Sequence, residues 1–192
     1  RMTTMILADG TMGQMMEPVS LDIESTYSVE KPWAVTGTKG ERKHNIVNSL
    51  FLQPEELEKK NFERYEKYKL IEETEAMYEE YLMDDAEVCV VAFGITSRVA
   101  KNAINEARKQ GVKAGLIRPI TLWPFPKDVL NKAADKCKAF ISVEMNMGQM
   151  IEDIELSIRC KKPVHLCCRT GGMIPTPEQV LEKIVEVNEK EA

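Results

Sequence analysis

The chain has 192 residues, a formal net charge of -5 and only two histidines. That length buries a substantial core in one domain with appendages, while the acidic balance excludes the clustered basic face that nucleic acid requires. The longest mostly apolar stretch is 88–93, too short to span a bilayer, and residues 2–8 lack the features of a signal peptide.

Met5–Ala8 reads as a strand that ends at Asp9-Gly10, followed by a short helical piece over Met12–Glu17 stopped by Pro18. A complete domain seldom opens on an apolar run at its first residue, so the segment reads as part of a longer protein. Residues 30–40 read as irregular chain crossing a surface. Gly37-Thr-Lys-Gly40 lacks the spacing of a phosphate loop and reads as a plain turn. Leu57, Phe62, Tyr65, Tyr68, Ile71, Tyr78 and Leu82 recur at three- and four-residue steps among Glu and Lys. The spacing predicts one long amphipathic helix from Gln53 to about Met83, broken at most once and lying as a linker.

From Glu87 onward strand and helix alternate. Glu87–Phe93, Val112–Ile117, Ala139–Val143 and Pro163–Cys168 are nearly uniformly apolar, as strands covered on both faces are. Between them Val99, Ala100, Ala103, Ile104 and Ala107 share one helical face, and Val129, Leu130, Ala133 and Ala134 another. Gly111 stops the first of these helices, and Thr176-Pro-Glu-Gln179 opens the last with a capping box. Four such units predict an α/β fold with a doubly wound, mainly parallel sheet. The chain accordingly divides into 1–40, a linker with the long helix at 41–84, and an α/β domain at 85–192.

Parallel strands bring their carboxyl ends to one edge. Gly94-Ile-Thr-Ser97, Arg118-Pro-Ile-Thr121, Glu144-Met-Asn146 and Arg169-Thr-Gly-Gly172 gather there. Two readings follow. Arg118, Arg169 and the Ser97 turn could form an anion or substrate site; alternatively, Glu144 is held between the two arginines and orders the loops against another domain. Arg118, Glu144, Asn146, Gln149 and Arg169 are the candidates for loop ordering or interface. Met-Gly-Gln-Met occurs at both 12–15 and 147–150, which suggests a shared strand–turn–helix geometry in which Gly permits the turn and Gln caps or bridges. The five cysteines form no CxxC and suit small buried hydrophobes in a reducing cytoplasm. His44 and His165 lie far apart and make no metal or catalytic set. No catalytic constellation can be defended from spacing, and no catalytic or metal residue is assigned.

Val90-Val-Ala-Phe-Gly94 with Ser97-Arg-Val-Ala100, Gly115-Leu-Ile-Arg-Pro-Ile-Thr-Leu-Trp-Pro-Phe-Pro126 and Val143-Glu-Met-Asn-Met-Gly-Gln-Met150 resemble the transketolase C-terminal-like domain of 2-oxoacid:ferredoxin oxidoreductase alpha subunits. Ala8-Asp-Gly-Thr-Met-Gly-Gln-Met-Met-Glu-Pro18 resembles the last strand and exit of the preceding pyrimidine-binding domain. Gly171-Gly-Met-Ile-Pro-Thr-Pro177 resembles the branched-chain, 2-oxoisovalerate version. The resemblance implies an enzyme that decarboxylates a 2-oxoacid on thiamine diphosphate with magnesium. Its electrons pass through iron–sulfur clusters to ferredoxin, and its acyl group passes to coenzyme A. It implies beta and gamma or delta subunits as partners, is compatible with a homodimer, and places the cofactors outside this chain. No family catalytic residue falls on a matching position. The competing reading is a stand-alone flavodoxin-like module that binds a small anion at the same edge.

Overall fold

The computed structural model describes residues 2–21 and 29–191. Two compact units are present: residues 1–15 together with 69–192, and residues 16–68. In chain order the elements are α1 (Gly10–Gln14), α2 (Pro54–Thr74), β1 (Tyr78–Tyr81), β2 (Val88–Val91), α3 (Gly94–Lys109), β3 (Ala114–Pro119), α4 (Lys127–Ala133), β4 (Ala139–Glu144), α5 (Met150–Ser157), β5 (Val164–Cys168) and α6 (Pro177–Lys190).

The sheet order is β1-β3-β2-β4-β5. β2, β3, β4 and β5 run parallel, with Val91 opposite both Ile117 and Ser142, while β1 runs antiparallel to β3. This is the predicted α/β fold with a mainly parallel, doubly wound sheet. Strand alternation divides the core into two layers. Val88, Val90, Leu116, Ile141 and Val143 pack with α3 and α6, and Cys89, Val91, Ile117 and Phe140 pack with α4 and α5. Ile104, Ile154 and Ile184 are fully buried anchors of their helices. The predicted capping box forms: the Thr176 side chain accepts from Gln179 N, and the Gln179 side chain accepts from Thr176 N.

Two expectations fail in the fold. The long helix ends at Thr74, whose hydroxyl donates back to Leu70 O at 2.8 Å, and the predicted continuation becomes the edge strand β1. Tyr78 and Tyr81 are three apart, so they fit a helical stripe as well as a short strand. Pairing decides between them. Tyr81 sits opposite Leu116, and Met77 O receives Ile120 N and Thr121 N at 2.9 and 3.2 Å. A ladder of non-local hydrogen bonds overrides a weak local preference.

The second failure is Met5–Ala8, which is not a strand; Met5, Ile6 and Leu7 are exposed. A strand exists only where a neighbour takes its N–H and C=O groups, and none does so among the described residues. The helical piece expected at Met12–Glu17 lies instead at Gly10–Gln14, because the Asp9 side chain caps it.

Residues 16–68 include the expected irregular stretch. Arg42 binds it by donating to Gly37 O at 2.8 Å and Lys43 O at 3.0 Å, and Asn45 donates to Pro32 O and Ala34 O. Gly37-Thr-Lys-Gly40 is a plain turn, closed by Glu41 N donating to Thr38 O at 2.9 Å. No side chain on α2 is fully buried.

Candidate functional site at the carboxyl edge of the sheet

Glu144 ends β4 and is 3% exposed. Oε2 accepts from Gln149 N and Met150 N, both at 2.9 Å. Oε1 accepts from Ile151 N at 3.0 Å and from the Ser142 hydroxyl at 2.7 Å. One carboxylate therefore closes a loop of four residues and satisfies the N–H groups at the start of α5, where the helix presents its positive end. Burial is the largest influence on this carboxyl and pushes its pKa up. The donors from Gln149, Ser142, Met150 and Ile151 outweigh it together and hold the pKa below the ordinary 4.5.

Inside the loop the Asn146 side chain accepts from Gly148 N at 2.8 Å. Gly148 has φ +101, and a Cβ there would stand 3.1 Å from Leu166 Cδ2 and 3.2 Å from Ile151 Cγ2. Glycine is thus required both for the backbone conformation and for the close approach of β5. The Gln149 side chain is exposed and caps nothing; its contribution is its backbone N–H.

The two arginines do not flank Glu144, contrary to expectation. Arg118 donates to Glu79 at 2.9 Å on the neighbouring β1, and Lys101 from α3 binds the same carboxylate. These two donors, Lys101 first, hold Glu79 below the usual carboxylate range. Arg169 meets Glu144 through the backbone alone, its N–H donating to Glu144 O at 3.1 Å. Strand parity explains the separation. Arg118 shares its strand face with Leu116 and not with Ile117, so it lies on the α3–α6 face, whereas Glu144 shares the α4–α5 face with Phe140. β2 also stands between β3 and β4, a gap of about 9–10 Å in the hydrogen-bonding direction.

The Ser97 turn is likewise not an open anion cradle. The Ser97 hydroxyl donates to Gly94 O and the Thr96 hydroxyl to Phe93 O, each at 2.7 Å, and both side chains are buried. Sequence reasoning missed three participants. Ser142 gave no signal, being one small residue in a buried strand. Glu79 was assigned to a helix. Asp9 was read as a turn, although an Asp ahead of a helical run is a recognised N-cap signal. Its Oδ1 accepts from Met12 N at 2.8 Å and its Oδ2 from Ile95 N at 3.4 Å. The two Met-Gly-Gln-Met segments differ in geometry: Met12–Gln14 lies within α1, while Met147–Gln149 forms the loop before α5.

The loop after β3 has anchored and exposed parts. Thr121 donates its hydroxyl to Pro124 O at 2.7 Å and receives Met77 N at 2.9 Å, and Phe125 is buried in the core. Between and beside them Ile120, Leu122 and Trp123 are exposed by 49%, 38% and 52%. Met147 and Met173, on the loops after β4 and β5, are also exposed. Among the described residues no group of three or more His, Cys, Asp or Glu side chains could hold a metal ion, and no helix is long and apolar enough to cross a membrane.

Residues 86–180 match the family of pyruvate:ferredoxin oxidoreductase core domain II. Over those residues the chain is similar to that oxidoreductase family. Over 188 residues, 97% of the chain, it is 48% identical to the ketoisovalerate oxidoreductase subunit VorB of Methanothermobacter thermautotrophicus, covering 53% of that protein. The chain thus spans about half the length of the ketoisovalerate oxidoreductase subunits it matches. Two solved structures share the fold. One is a 2-oxoglutarate:ferredoxin oxidoreductase from Magnetococcus marinus, with 2-oxoglutarate, coenzyme A and succinyl-CoA bound. It gives a TM-score of 0.64 at 21% identity, over 81% of this chain and 28% of that one. The other is a split-gene transketolase described as an inactive beta4 tetramer. It gives a TM-score of 0.53 at 17% identity, over 60% of this chain and 42% of that one. The relatives are subunits of oxidoreductases, and the sheet has the transketolase-like architecture expected of such a domain.

Proposed function

We propose that this chain is the packing and assembly portion of a thiamine-diphosphate-dependent 2-oxoacid:ferredoxin oxidoreductase. The reaction is the oxidative decarboxylation of 2-oxoisovalerate to its acyl-CoA with reduction of ferredoxin. The substrate assignment rests on the 48% identity to a ketoisovalerate subunit across nearly the whole chain. In this reading residues 1–40 are the exit of a pyrimidine-binding domain, 41–84 a linker, and 85–192 the transketolase C-terminal-like domain. Thiamine diphosphate, magnesium and the iron–sulfur clusters are held by other parts of the enzyme, and the beta and gamma or delta subunits are the partners. The chain by itself is inactive.

The observation that carries the assembly role is the loop pattern at the sheet edge. The buried polar side chains there, Glu144, Ser97 and Thr96, and the half-buried Asn146 all bind backbone groups of their own loops. The large side chains exposed along the same edge are apolar, namely Ile120, Leu122, Trp123, Met147 and Met173, with Gln149 and Thr170 among them. A rigid edge that presents apolar side chains fits a protein partner better than it fits a small anion. The test is to introduce Ile120→Asp with Met147→Asp into the full complex and measure subunit association by analytical ultracentrifugation. Loss of association, with the thermal midpoint of the isolated chain unchanged, is expected. Intact association with only the Michaelis constant for coenzyme A or the oxoacid altered would replace assembly by direct ligand binding.

A further inference from the structure

In doubly wound sheets the crevice at the strands' carboxyl ends, where the chain order reverses, is the place where a ligand meets the fold. Here the reversal lies at β2, flanked by β3 and β4, and the helix leaving β2 is α3. The N-cap of α3 is Phe93, which offers no side-chain cap. A carboxylate from 86 positions earlier takes that role instead, for Asp9 Oδ2 accepts from Ile95 N at 3.4 Å. The second oxygen, Oδ1, caps α1 through Met12 N at 2.8 Å, so a single side chain joins two helix starts within one compact unit. Gly94, at φ +59, makes room for it: a Cβ there would stand 3.2 Å from Asp9 Oδ2 and 3.8 Å from Met12 Sδ.

We infer that Asp9 is the built-in occupant of the switch point, latching residues 8–12 onto the amino end of α3. Its tethered carboxylate fills the position where this class of fold takes a free anion. The helix supplies unpaired N–H groups and a positive end, and the carboxylate is the complementary group. Ser97 and Thr96 turn their hydroxyls back on the chain, and the backbone N–H of Ile95 is the donor that meets Asp9. The latch makes the location of the segment ahead of α1 depend on the exit of β2. It holds whether or not the enzyme acts on 2-oxoisovalerate.

Hydrogen–deuterium exchange on the complex, comparing the unmodified chain with Asp9→Ala and Asp9→Asn, tests this. In Asp9→Ala the amides of residues 95–97 should exchange roughly fivefold faster, the effect of losing a helix cap. Asp9→Asn, which keeps an oxygen for Met12 N without the charge, should show a smaller rise. Amides of β3 and β4 should be unchanged in both. Unchanged exchange at 95–97 in Asp9→Ala would overturn the inference. So would a rise spread equally over β3 and β4, which would mark general loosening instead of a released latch.

Discussion

Replacing Glu144 with Gln keeps the shape of the side chain and removes its charge. The carboxylate accepts four hydrogen bonds, two at each oxygen. An amide has one accepting oxygen, so at least two of the four donors lose their partner, and the amide N–H groups face donors. Hydrogen bonds to a charged group contribute about 1.5–3 kcal/mol each and are not additive, so Glu144→Gln should cost roughly 2–3 kcal/mol at pH 7. Glu144→Ala leaves every donor unpaired in a buried site and should cost about 3–5 kcal/mol. At about 2–4 °C per kcal/mol for a chain of this size, the Gln variant should melt roughly 4–12 °C lower. Because the folded-state pKa lies below the ordinary 4.5, the carboxylate's contribution is fully present above that value. It fades as pH falls through the folded pKa, so the gap between the two proteins should close with acidification. Urea denaturation at pH 7 and again near pH 4 measures both. A cost under about 1 kcal/mol at pH 7, or a gap that widens in acid, would refute the capping argument.

A Cβ on Gly115 would lie 2.6 Å from both Leu82 O and Met83 Sδ and 2.9 Å from Ala86 Cβ, and the first of these is backbone. Leu82 O also receives Arg108 at 2.7 Å and cannot withdraw freely, so Gly115→Ala should destabilise by about 1–3 kcal/mol in urea unfolding. Thr176→Ala removes half of the α6 capping box and should cost about 1 kcal/mol; Gln179→Ala added to it should cost less than its separate effect, which a double-mutant cycle reads directly. Cys160 is exposed, whereas Cys89 and Cys137 are buried and burial pushes the Cys89 thiol well up. Thiol titration of the native protein should therefore label Cys160 rapidly and reach Cys89 and Cys137 only at the rate of unfolding, and rapid native labelling of Cys89 would contradict its burial.

Elements whose signal is local were legible from composition and spacing. Val88–Val91 and 139–141 are apolar on both faces because helices cover both, and their residue types alone say so. The start of α6 was legible because Thr176, Pro177 and Gln179 act on one another within a single turn. The site was legible as a place, since strand ends in a parallel sheet must converge, and Glu144, Asn146 and Gly148 could be named as its parts. Their partners could not. Whether Glu144 faces arginines or a helix start depends on the parity of β4 relative to β3, which is set by the pairing of Val91 with both Ile117 and Ser142.

The same limit applied to Tyr78–Tyr81, a strand only because β3 offers it a ladder, and to Asp9, whose second partner lies 86 residues away. Nearest-neighbour chemistry and periodicity determined the α/β class and the edge on which to look. Register and long-range hydrogen bonds, which carry no trace in local residue types, decided what each charged group at that edge holds.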